Sequence, residues 1–118
     1  MYRSLAILGC FLSMAAGSVV AAEAYHFGTV RSLLVQEGRF GDCMALISPS
    51  PDSSLATCKT DWVTFSCSGD FNSRSGGQNK FNQAQLAMVT GNRVLVVIED
   101  TKLHNGYCWA NRIDVLSK

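Results

Sequence analysis

The chain has 118 residues, with ten Lys plus Arg against nine Asp plus Glu, 47% apolar residues and 16% charged. That length and apolar fraction give one small folded domain, and no stretch is charged and apolar-poor enough to stay disordered. A net charge of +1 excludes the electrostatic footprint of a general nucleic-acid binder or of a polybasic membrane-surface protein.

The first element is read as lying outside the fold. Arg3 is a short positive start, Leu5 to Ala16 is largely apolar, and Val20-Ala21-Ala22 places small residues where a signal peptidase cuts. This pattern predicts a secretory signal peptide over residues 1–22 and a folded domain over 23–118, exported to the periplasm or beyond. The apolar run is shorter than the ~20 residues a span needs, so no membrane span is expected in the mature chain. Ile7-Leu8-Gly9-Cys10 has the look of a lipobox, but too few apolar residues precede it. Cleavage would remove Arg3 and Cys10, leaving nine cations against nine anions and four cysteines.

Those four are Cys43, Cys58, Cys67 and Cys108. An even count in a short exported chain points to two disulfides. A zinc site is disfavoured, because its ligands come in close C-x₂₋₄-C pairs and these lie 15, 9 and 41 residues apart. A catalytic thiol would leave an odd cysteine. Of the three pairings that four cysteines permit, spacing alone selects none.

Along the mature chain, Tyr25 to Gln36 is aromatic and β-branched, with Gly28 suggesting a bulge in a bent first strand. A turn at Glu37-Gly38-Arg39 leads to a short apolar strand over Cys43 to Ile47, and Ser48 to Ser54, with two prolines, is a loop. Asp61 to Cys67 is a third strand. A polar, glycine-bearing segment from Gly69 to Lys80 follows. Ser75 and Gln78 have capping-box spacing, Phe81, Ala84 and Met88 form an apolar stripe beside Ala87, and Gly91 is placed for a left-handed cap. These predict a helix from Gly76 to Thr90, or one starting nearer Lys80. Arg93 to Glu99 is the strongest strand, expected to be buried on both faces. Asn105-Gly106 is a hairpin turn, and Tyr107 to Leu116 is the last strand.

The order β-β-β-α-β-β fits a mainly β fold with one helix: a five-stranded, partly open OB-fold-like barrel with the helix plugging one end. An open antiparallel sheet with the helix across one face is the alternative. In the barrel, the start of the second strand lies near the end of the third, which pairs Cys43 with Cys67. The third and fifth strands are neighbours, which pairs Cys58 with Cys108.

The stretch from Phe81-Asn82-Gln83-Ala84-Gln85 through Thr90-Gly91-Asn92-Arg93-Val94, a helix running into a buried strand, resembles the B subunits of bacterial pentameric toxins of the subtilase-cytotoxin and pertussis-like group. The final HNGYCWANRIDVL hairpin is similar to that of small exported proteins of Gram-negative bacteria. The toxin resemblance implies glycan binding and a ring-shaped homo-oligomer.

Candidate chemistry is sparse. His26 and His104 have no carboxylate or cysteine at triad or metal spacing, and are expected at an exposed strand position and in a solvated turn. Glu99-Asp100 reads as a polar strand end. Asp61, Asp70 and Asn72 could offer oxygens to calcium, but without EF-hand spacing. No catalytic residue, metal or cofactor is therefore assigned. Trp62, Phe65, Phe71, Tyr107 and Trp109 are many aromatics for so small a domain, and exposed ones can stack on sugars. With the polar connection and the helix start, they nominate Asn72, Ser73, Arg74, Lys80 and Trp109 as a ligand surface. The expected function is an exported, non-enzymatic binding domain for a glycan. The alternative is a periplasmic structural or inhibitor protein acting through a protein interface.

Overall fold

Backbone pairing in the computed structural model, which describes residues 22–118, begins with β1 (Glu23–Gln36), one strand that serves two neighbours. Its first half, Glu23 to Gly28, pairs antiparallel with β4 (Val94–His104), and its second half, from Thr29, with β2 (Asp42–Ser48). The handover falls at Gly28, where a Cβ would sit 2.6 Å from Ile47 Cγ2 and 2.9 Å from the Ser48 carbonyl oxygen. Only glycine allows that approach. The register irregularity expected at Gly28 lies a little later, between Val30 and Ser32. The signal-peptide reading falls on residues outside those described, apart from Ala22.

β3 (Trp62–Thr64) pairs with β2, and β5 (Tyr107–Val115) pairs with β4 through the turn at Asn105-Gly106. The pairing order β1-β2-β3-β5-β4 returns to β1, but its five junctions are unequal. Four are antiparallel. The fifth, β3 to β5, is parallel and consists of one pair, Thr64 opposite Trp109. The OB-fold-like barrel read from the sequence is therefore corrected. This is a curled sheet that meets itself at one residue pair, not a barrel laddered all the way round. The cause lies in the third strand. Asp61 (φ +74°) and Ser66 (φ +54°) adopt left-handed conformations on either side of it, so the strand expected over Asp61–Cys67 shrinks to three residues. The mainly β composition, the single helix and both disulfides, Cys43–Cys67 and Cys58–Cys108, are as read.

Helix α1 (Arg74–Thr90) starts two residues earlier than expected. Its cap is Ser73, whose Oγ accepts from Gly76 N at 3.0 Å, and not Ser75. Gln78 turns away to donate to Asn82 Oδ1. Gly77, Phe81, Ala84 and Ala87 face the sheet, whereas Met88 is 41% exposed. Gly91 closes the helix at φ +71°, as its position predicts.

The core is Val30, Cys43, Ala45, Ile47 and Val63 from the first three strands, Phe65 just after them, Val94, Val96 and Ile98 from β4, Cys108 and Ala110 from β5, and the helical stripe. β4 is longer than read, and Val97 on its outer face is buried as well. A register shift between Val97 and Ile98 leaves Asn111 without a partner on β4. Cys108, Trp109 and Ala110 are buried in succession, Cys108 and Ala110 in the core and Trp109 on the other face under Phe71, Lys80 and Lys102. No helix among the described residues is long and apolar enough to cross a membrane.

Candidate functional site

The helix start, the connection before it and the first half of β5 meet at Asn72. Its amide nitrogen donates to the carbonyls of Ser66 (3.0 Å) and Ser73 (2.8 Å). Its Oδ1 accepts from Trp109 Nε1 (2.9 Å) and Lys80 Nζ (2.7 Å). An Asn side chain has two donors and two acceptor sites, so Asn72 is fully committed. It ties the connection, the helix and the sheet together, and no part of it is left for a ligand.

Trp109 is the centre of the surface, although it is only 9% exposed. Phe71 meets it edge-on at 6.1 Å, and the ammonium groups of Lys80 and Lys102 lie 4.8 and 4.7 Å from the ring centroid. Both are within cation–π range. The nominated residues thus divide. Asn72, Lys80 and Trp109 converge, whereas Ser73 is consumed by capping the helix and Arg74 Nε donates to the Ser68 carbonyl (3.2 Å). Sequence reasoning missed Lys102. It sits in the irregular stretch between the Glu99–Trp109 and Leu103–Cys108 pairs, where strand alternation carries no information. Asn111, also missed, donates to Glu99 Oε2 and Glu23 Oε1 at 3.0 Å each.

Lys80 also donates to the Ala110 carbonyl (3.0 Å). Burial pushes its pKa down to about 8, against the opposing pull of Glu99. Between about 8 and 10.5 the unfolded chain holds this proton and the folded chain does not. Stability is therefore expected to rise across that window, and the cost of the buried ammonium is fully present below it. The neutral amine keeps two N–H groups, enough for both hydrogen bonds. Urea unfolding at about pH 7.5 and 9.5 should show the wild type gaining on Lys80→Met. Parallel profiles would place the titration elsewhere.

Both histidines depart from their sequence reading. His104 is not a solvated turn residue: it stacks on Phe71 at 4.1 Å and its Nε2 bonds Ser66 Oγ at 3.0 Å. Burial holds its pKa below the usual histidine value, against the pull of Asp70 and Asp42. Its 3.8 Å approach to Asp70 is thus not an ion pair at neutral pH. His26 is not exposed but 2% accessible, with Nδ1 at 2.7 Å from Ser54 Oγ and Nε2 at 2.7 Å from the Pro49 carbonyl oxygen. Glu99 and Asp100 lie within β4, where they accept from Asn111 and Thr57. Among the described residues no group of three His, Cys, Asp or Glu side chains converges, and no cavity opens. Comparison of the chain with protein-family models, curated proteins and solved structures gives no match.

Proposed function

We propose that the chain is an exported binding domain that recognises a glycan at the Trp109 surface. The convergence of Trp109, Lys80 and Lys102 carries this reading. A sugar that displaces Lys102 meets the flat apolar face of the indole, and the two ammonium groups suit a carboxylate or sulfate on that sugar. Lys102 is exposed, so it is the group a ligand displaces or pairs with. The toxin B-subunit resemblance points to the same ligand class. Export is supported by the pattern of residues 1–22 and by two disulfides, which persist in oxidising compartments.

A glycan array with acidic and neutral arms tests the proposal. Lys102→Glu, an exposed change that leaves the core intact, is expected to weaken binding to acidic sugars by about tenfold, the 1.4 kcal/mol of one charge-assisted contact. A blank array, or binding indifferent to this variant, overturns it. One observation favours the second reading, a periplasmic structural or inhibitor protein. Tyr25 and Phe27 are exposed two residues apart on the same face of β1, the kind of aromatic pair that protein interfaces bury.

A further inference from the structure

The fold brings together two residues 28 positions apart that the glycan reading does not use, His26 in β1 and Ser54 just after the turn at Pro51–Ser53. Their geometry fixes the tautomer of the neutral ring. The Pro49 carbonyl can only accept, so His26 Nε2, 2.7 Å away, carries a hydrogen. In the neutral ring Nδ1 then holds a lone pair, and the group facing it at 2.7 Å is the Ser54 hydroxyl. Ser54 Oγ–H therefore donates to Nδ1. The imidazole is held in this orientation by burial and by the carbonyl behind it, while Ser54 itself is exposed.

We propose that Ser54 is an activated nucleophile, with His26 as its general base and the Pro49 carbonyl orienting the ring. The parts and their order are those of nucleophilic serine catalysis, with a backbone carbonyl where a carboxylate often stands. The substrate class follows from the surroundings. Ser54 is exposed, so its hydroxyl is approached directly from solvent. The substrate is a carboxylic ester presented from outside.

In the first step Oγ bonds to the ester carbonyl carbon as its proton passes to His26 Nδ1. The carbon–oxygen bond to the alcohol then breaks, and the alcohol leaves with that proton. Water repeats the sequence on the acyl-serine, giving the carboxylic acid and returning Ser54 with its proton. One ester and one water become one acid and one alcohol.

The test is covalent labelling of the full chain with a fluorophosphonate. Oγ bonds to phosphorus, the P–F bond breaks, fluoride leaves, and the hydroxyl proton passes through His26 to solvent. Peptide mass spectrometry is expected to place one adduct on Ser54, absent in Ser54→Ala and unchanged in Ser53→Ala. His26→Gln should slow labelling by about 100-fold, the low end of what a positioned base contributes. If that variant does not fold, wild-type protein unfolded in guanidinium with its disulfides intact replaces it, and Ser54 labelling should vanish there. No adduct on Ser54, labelling spread alike over Ser50, Ser53 and Ser54, or Ser54 labelling that survives unfolding overturns the proposal.

Discussion

Replacing Cys58 and Cys108 together by alanine is expected to cost about 4 kcal/mol, the loop-entropy value for a cross-link of this span. The two cysteines are 50 residues apart, against 24 for Cys43 and Cys67. Loop length alone makes the longer bridge worth only about 0.6 kcal/mol more. Its position adds a larger consequence. The β3–β5 seam has one backbone pair, Thr64 opposite Trp109, and Cys108 is the residue beside that Trp. Beside this pair, Lys59 N donates to the Gly106 carbonyl. The disulfide is the covalent bond across the weakest junction of the sheet. Urea unfolding of the double variant should show the loss in midpoint. Amide exchange at Thr64 and Trp109 should accelerate in Cys58→Ala/Cys108→Ala and much less in Cys43→Ala/Cys67→Ala. Equal exchange in the two variants would show that the seam stands without its bridge.

How much of this was legible in the sequence varied with the length of each signal. The long strands, the Asn-Gly turn, the helix and its Gly91 end follow from periodicity and turn chemistry, and strand adjacency was enough to pair the cysteines. The third strand failed because two left-handed residues, Asp61 and Ser66, cut a run of good strand formers. Non-glycine residues rarely declare such conformations. The helix start failed because serines stand at both 73 and 75, and Met88 was misplaced because it and Ala87 are neighbours at the edge of one stripe, where spacing alone does not choose between them. At the candidate site, residue type was the signal for Asn72, Lys80 and Trp109. Ser73 and Arg74 were nominated on the same grounds, but Ser73 caps the helix and Arg74 turns its Nε to the Ser68 carbonyl, away from Trp109. The His26–Ser54 pair had no sequence signal, since only the return of the loop onto β1 brings them together.

Phe65→Ala is expected to destabilise by about 3–5 kcal/mol, toward the upper end of that range. Phe65 is fully buried, just beyond the end of β3, and its ring lies 6.4 Å from that of Phe81 on α1. It is the largest side chain so enclosed, and it fills the space between helix and sheet. The cost of a cavity depends on how far its walls can close. Here the helix has little room to move. At Gly77 a Cβ would already stand 2.8 Å from the Ser66 carbonyl oxygen and 2.9 Å from Cys67 Cα. The first turns of α1 thus rest on backbone, and the Cys43–Cys67 disulfide fixes that backbone in place. Ala84 and Ala87 belong to the same core cluster, and their short side chains cannot swing into the gap. Phe65→Leu, which keeps most of the volume, should lose about 1–1.5 kcal/mol, and Met88→Ala, on the exposed flank of the same helix, less than about 1 kcal/mol. Denaturant midpoints of the three variants rank these effects. If Phe65→Ala unfolds no earlier than Met88→Ala, the helix does settle into the cavity, and the contact at Gly77 is not the rigid stop argued for it.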